Sequence, residues 1–210
     1  MPDFTKTRVV LSFGAAAGGF EFAMELRRNI MAKYGKQFLD DPTFVYLDAE
    51  SLREDQATRY TWDDKLGIWK MSNEFWKQYY GSAMDNCQYM VFLISEPWLR
   101  SNWCWEEFNW YQRIITEKSV APIFVVFKDG GRILNDGAKV KDSKGGEHDL
   151  KPLWQQIVTN PKTQVVDIAT DPAPGVGTVE VEGKTYTYTH KYVCSESELS
   201  AILGKIVIRV

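Results

Sequence analysis

The chain has 210 residues, enough for one sizeable core, and is 44% hydrophobic and 25% charged, an ordinary globular composition. Its 25 Lys and Arg against 28 Asp and Glu give a net charge of −3. No basic cluster is dense enough for a nucleic-acid or membrane-surface patch, so neither is expected as a partner.

Three cysteines, Cys87, Cys104 and Cys194, are widely spaced and odd in number. They form no CxxC pair and no metal-ligand spacing with His148 or His190, so the expectation is free thiols, no metal and a cytoplasmic protein. The N-terminal MPDFTKTRVVLSFG has no long apolar stretch behind a basic one, so no signal peptide is expected, and no stretch approaches the ~20 apolar residues of a membrane span. Aromatic residues are 14% of the chain and concentrate between Tyr60 and Tyr111, either as core mass or as a stacking surface.

In chain order, Thr7 to Phe13 is a β-branched apolar run, read as a buried parallel strand. Gly14 to Gly19 is a small-residue loop, and Phe20 to Lys33 carries apolar residues near helical spacing. A second strand, Thr43 to Leu47, leads to a long polar loop, Asp48 to Gly67. Ser72 to Asn86 reads as a helix and Gln88 to Ser95 as a third strand. After a turn at Pro97, Ser101 is a plausible N-cap for a helix to about Lys118. Val120 to Phe127 is a fourth strand. Asp129 to Asp149, rich in glycine and charge, reads as a mobile surface excursion. A short helix over Leu150 to Val158 and a fifth strand over Thr163 to Ile168 follow. Thr178 to Thr189 alternates about Glu182-Gly183-Lys184, the pattern of a β-hairpin. Ser195 with Glu198 forms a capping box for a last helix to Lys205, and Ile206 to Val210 extends that helix or adds a strand.

This alternation predicts an α/β fold, a five-stranded parallel sheet with helices on both faces and a hairpin appendage. We expect a single domain over residues 1–210, with its core over about 7–170. Ligands of such sheets bind beyond the carboxyl ends of the strands.

The glycine-rich loop after the first strand either presents backbone N–H groups to phosphate or is a tight turn; its G-x-x-x-G-G spacing, neither a dinucleotide fingerprint nor a P-loop, favours a tight turn bordering any pocket. Trp103 and Glu107 are four apart and share a helix face. The pair is either a partly desolvated carboxylate suited to acid/base or ribose-hydroxyl work, or a solvated glutamate beside a core tryptophan. Glu106 reads as a dipole partner at the helix start. His148 and His190 read as surface residues, and Asp48, Asp63 and Asp64 as solvated loop carboxylates. Ser12 and Ser95 end strands without a G-x-S-x-G elbow, so neither is read as a nucleophile.

Three blocks resemble the TIR (Toll/interleukin-1 receptor) domain family: VVLSFG at the first strand, VYLDAESL after the second, and VFLISEPWLRSNWCWEEF at the third. Ser95, Trp98, Ser101, Trp103, Cys104, Glu107 and Phe108 fall on the family's S-x-x-[YW]-x-x-S-x-W-C-x-x-E-[LF] pattern. The resemblance covers roughly Thr7 to Phe127. It implies a flavodoxin-like fold and, as in NAD⁺-cleaving members, a catalytic Glu107 acting on the nicotinamide–ribose bond. NAD⁺ is then a substrate and no bound cofactor is needed. Phe13, Gly14 and Ala15 would line the pocket from the first loop, Asp48 and Leu52 from the so-called BB loop, and Trp103 from beside the glutamate. The resemblance further implies self-assembly with other TIR domains, a sensor or effector partner, and a role in immune or anti-phage signalling. Two other functions share these features: a non-catalytic TIR adaptor, and a nucleotide N-glycosidase or deoxyribosyltransferase. The chain departs from the family in Ala15-Ala16-Ala17 after the first strand and in Arg53-Glu54-Asp55 where glycine is usual.

Overall fold

The computed structural model describes residues 3–15, 18–34, 41, 43–47, 60–63, 68–71, 73–159, 164–168, 175–181, 184–190, 192 and 194–209. Five strands form one sheet: β1 (Val9–Phe13), β2 (Val45–Tyr46), β5 (Tyr89–Ile94), β6 (Ala121–Phe127) and β9 (Gln164–Ile168). Their order across the sheet is β2-β1-β5-β6-β9, and every neighbouring pair is parallel. The five-stranded parallel sheet expected from the sequence is therefore present, in the flavodoxin-like order.

Strand alternation builds two separate cores. Val10, Tyr46, Met90, Phe92, Ile94, Phe124 and Val126 face one way. They meet Tyr79, Tyr80, Ala83 and Met84 of helix α2 (Asn73–Asn86) and Cys104, Trp105, Phe108, Tyr111 and Ile114 of helix α4 (Asn102–Ile114). Val9, Leu11, Val45, Val91, Leu93, Ile123, Val125 and Phe127 face the other way. Against them lie Phe22, Leu26, Ile30 and Met31 of helix α1 (Gly19–Lys33) and Ile202 of helix α7 (Glu196–Lys205). Continuous apolar runs in β1, β5 and β6 follow from this, because both faces of each strand are covered.

Three helix starts obey local chemistry. The Ser101 hydroxyl accepts from the Cys104 amide at 3.3 Å and opens α4. Ser95 accepts from the Trp98 amide and opens the short helix α3 (Glu96–Leu99), so the turn expected at Pro97 is one helical turn. Ser195 and Glu198 form the full capping box of α7.

Other expectations need correction. The glycine- and charge-rich stretch after Lys128 is ordered. It holds helix α5 (Lys128–Asp136) and an antiparallel ribbon, β7 (Lys139–Lys141) with β8 (Glu147–Asp149). Gly130 and Gly137 are packing residues there: a Cβ on Gly130 would lie 2.4 Å from the Ile94 carbonyl oxygen. Glycine signalled close approach rather than looseness. A second ribbon pairs β3 (Tyr60–Asp63) with β4 (Ile68–Met71) where a long loop was expected. Helix α6 (Leu150–Thr159) and the hairpin of β10 (Gly175–Val181) with β11 (Lys184–His190) match expectation. Residues 206–209 are neither helix nor strand. They are tied down by Tyr34 and Gln88: Tyr34 Oη donates to the Ile206 carbonyl at 2.6 Å, and Gln88 exchanges two hydrogen bonds with the backbone of Arg209. Among the described residues no helix is long and apolar enough to cross a membrane.

Candidate functional site

Strand order reverses direction between β1 and β5, the point at which an open α/β sheet leaves a crevice at its carboxyl edge. Ser12 stands there, paired with Phe92, on the sheet face that packs against α4. It is the one polar residue of β1, and it is fully buried. Its hydroxyl sits beneath the first turns of α4, where the buried Glu107 carboxylate comes down to meet it.

The hydrogen bonds have one consistent direction. Trp98 Nε1, which can only donate, lies 2.9 Å from Ser12 Oγ. Ser12 Oγ lies 2.5 Å from Glu107 Oε2 and donates its only proton to it. The relay thus runs from indole to hydroxyl to carboxylate. Ser12 is fully buried, with its hydroxyl engaged by both Trp98 and Glu107. Trp98 is fully buried and wedged by rings: Phe92 at 6.1 Å, Trp105 at 5.4 Å and Phe108 at 6.3 Å between centroids. Close-packed aromatic edges of this kind fix the indole N–H in space, and hence the hydroxyl and the carboxylate.

Cys104 adds a second tie between α4 and the end of β1, its thiol lying 3.3 Å from the Phe13 carbonyl oxygen. Burial, then the nearby Glu107 carboxylate, push this thiol well above its ordinary range. It is held as a neutral donor and is unsuited to nucleophilic work.

The other residues expected at the site fall as follows. The Phe13 ring is on the opposite sheet face, half-buried and 6.0 Å from Phe20, so Phe13 reaches the Glu107 side through its backbone. Gly14 is clamped: a Cβ there would lie 2.4 Å from the Trp98 amide nitrogen and 2.5 Å from the Pro97 carbonyl carbon. Gly18 has φ of 86°, and a Cβ on Gly19 would lie 1.9 Å from the Gly14 carbonyl oxygen. The glycines of this loop therefore serve a tight turn, as the spacing suggested. Ala15 is exposed. Trp103 is half-buried on α4, one turn before Glu107. Glu106 is set apart from Glu107, accepting from Asn102 Nδ2 at 3.1 Å along the same helix. Asp48 and Leu52 lie outside the described residues. Among the described residues no cluster of His, Cys, Asp and Glu could hold a metal ion.

Sequence reasoning missed three contributors. Ser12 could have been suspected, because a lone hydroxyl two residues after Val10 interrupts an inward-facing apolar series. Trp98 as a donor had no local signal. The third is the β7–β8 ribbon, which docks on the start of α4. His148, expected at the surface, is half-buried and stacked on Trp105, with centroids 4.5 Å apart and planes 4° apart. Its Nε2 is 2.7 Å from Asp142 Oδ2. That hydrogen bond from His148 lowers the pKa of the Asp142 carboxyl, and the amides of Lys144 and Gly146 add to it against the cost of burial. The Ser143 amide donates to the Arg100 carbonyl at 2.8 Å, and Lys144 Nζ stands 4.6 Å above the centre of the Trp103 ring.

With known proteins compared, the chain is 35% identical over 125 residues to the 3′ cyclic ADP-D-ribose synthase HopAM1 of Pseudomonas syringae pv. tomato. The match covers 57% of this chain and 44% of that protein, so it spans less than half of the relative's length. No family model matches the chain, and no solved structure matches it significantly.

Proposed function

We propose that this chain is a TIR-type enzyme that cleaves NAD⁺ at the nicotinamide–ribose bond, with Glu107 as the catalytic residue. The observation that carries the reading is the buried Glu107 carboxylate, held by Ser12 and Trp98 at the topological switch point of a flavodoxin-like sheet. The partial similarity to a cyclic ADP-ribose synthase and the W-x-x-x-E spacing of Trp103 and Glu107 support it.

The chemistry needs little from the protein beyond placement and charge. The C1′–N bond breaks with its electron pair passing to the pyridinium nitrogen, so nicotinamide leaves neutral without a proton. Positive charge develops on C1′ and the ribose ring oxygen, as in glycoside cleavage, and the Glu107 carboxylate stabilises it. Water attacking C1′ gives ADP-ribose and releases one proton. A hydroxyl of the same molecule attacking C1′ gives a cyclic isomer and the same proton. In this reading Phe13, Gly14, Ala15 and Trp103 border the bound dinucleotide, with Trp103 as a stacking face, and the segment bearing Asp48 and Leu52 completes the pocket. NAD⁺ is the substrate and no resident cofactor takes part. Self-assembly activates the enzyme, and its setting is cytoplasmic immune or anti-phage signalling alongside a sensor or effector.

The test is nicotinamide release from NAD⁺, followed by chromatography with and without a crowding agent, for wild type, Glu107→Ala and Glu107→Gln. Release by wild type and its loss in both variants is expected. Equal release by all three removes Glu107 from the mechanism, and binding of partner TIR domains without turnover favours an adaptor. Cleavage of nucleoside monophosphates in place of NAD⁺ favours an N-glycosidase.

A further inference from the structure

We infer that Lys144, carried by the turn between β7 and β8, binds the phosphates of the dinucleotide beside Trp103. The inference rests on the NAD⁺-cleaving reading and adds to it a residue from a part of the chain that the family resemblance does not reach.

The turn is built to hold that lysine in place. Asp142, 8% exposed, accepts from the amides of Lys144 and Gly146, both at 2.8 Å, and from His148 Nε2. Gly145 adopts φ of 83°, in the left-handed region, and a Cβ on Gly146 would lie 2.6 Å from Asp142 Oδ2. Three contacts then weld the turn to the start of α4: Ser143 to the Arg100 carbonyl, His148 on Trp105, and Lys144 on Trp103. A buried carboxylate, a left-handed glycine and a sterically required glycine converge on residues 142–146, and the side chain they project over Trp103 is an exposed ammonium.

Charge and geometry both point to phosphate. Among the described residues Lys144 forms no ion pair, and its ammonium covers part of one Trp103 face. Trp103 and Glu107 are one turn apart on α4, a rise of about 6 Å. A ribose whose C1′ lies at Glu107 carries its 5′-phosphate a comparable distance away. Of the two directions along the helix, the one toward Trp103 meets a cation. A lysine ammonium, strongly hydrated and mobile on its stem, suits a pyrophosphate as a point charge rather than as a bidentate fork.

The experiment separates phosphate recognition from a packing role. Calorimetric titrations of the non-cleaving Glu107→Gln protein, with Lys144, Lys144→Met or Lys144→Arg, would use NAD⁺, ADP-ribose and nicotinamide riboside as ligands. Lys144→Met keeps most of the stem and removes the charge. We expect it to weaken NAD⁺ and ADP-ribose by roughly ten- to a hundredfold, to leave nicotinamide riboside unchanged, and Lys144→Arg to recover most of the loss. Unchanged NAD⁺ affinity in Lys144→Met overturns the inference while the NAD⁺ reading stands. An equal loss for nicotinamide riboside also overturns it, because Lys144 then acts through Trp103. A protein retaining Lys144 that binds neither NAD⁺ nor ADP-ribose overturns the inference, and the NAD⁺ reading falls with it where wild type also releases no nicotinamide.

Discussion

Replacing Ser12 by alanine removes one hydroxyl and takes a hydrogen-bond partner from two buried groups. The Trp98 indole N–H loses its acceptor and Glu107 Oε2 loses the Ser12 donor, with all three residues buried and Ser12 and Trp98 fully so. An unsatisfied buried polar group costs about 1–3 kcal/mol, and more for a charged one. Taking the middle of that range for the indole and its lower end for the carboxylate, which keeps other contacts, gives about 3 kcal/mol of lost stability. For a chain of this size each kcal/mol moves Tm by about 2–4 °C, so Ser12→Ala should lower it by roughly 6–12 °C. The same variant in a Glu107→Gln background should cost less, because the group that loses the Ser12 donor is then neutral, and the coupling should be about 1–2 kcal/mol. Urea denaturation of the four proteins gives that coupling directly. Nicotinamide release by Ser12→Ala should fall by about ten- to a hundredfold, the size expected when a catalytic group loses its positioning. Strict additivity of the two substitutions, within about 0.5 kcal/mol, would refute the relay, as would an unchanged Tm for Ser12→Ala.

Gly14→Ala places a Cβ against the backbone of Pro97 and Trp98, which cannot rotate away, so a loss of about 2–3 kcal/mol or more is expected in urea denaturation. Gly131→Ala is its control: the Cβ meets only Val126 Cγ1 at 3.5 Å within helix α5, and the helix should gain about 0.5–1 kcal/mol. The Asp142 carboxyl is held below its ordinary value of 3.8, first by the hydrogen bond from His148. A carboxyl depressed in the native state contributes stability above its unfolded pKa and loses it as pH falls through the native one. Wild type should therefore exceed Asp142→Asn in denaturation midpoint at pH 6, with the gap narrowing as pH falls below about 4. A gap that stays constant from pH 6 to 3 would show that the carboxylate charge contributes nothing to the docked turn.

Much of this protein is written locally. The apolar runs of β1, β5 and β6, the serine caps of α3, α4 and α7, and the shared face of Trp103 and Glu107 all follow from residues a few positions apart, where backbone periodicity and capping chemistry act. That is also why Glu106 and Glu107 could be told apart: helical spacing sends adjacent side chains in different directions, and Glu106 does turn back to Asn102. What locality cannot carry is the company a side chain keeps. Ser12 and Glu107 are 95 positions apart, and Ser12 and Trp98 are 86 apart. Only the parallel pairing of β1 with β5 brings them into one hydrogen-bonded line. The stretch from Asp129 to Asp149 looked loose because glycine and charge favour solvated loops. Tertiary packing reversed that, using glycine for close approach at Ile94, a buried aspartate to pin a turn, and a histidine and a lysine to cover two tryptophans of α4. The strands, the caps and the helix face that Glu107 shares with Trp103 were thus set by the sequence itself. The relay that holds Glu107 and the ribbon beside it were decided by the fold, because burial and long-range pairing exist only once the sheet has formed.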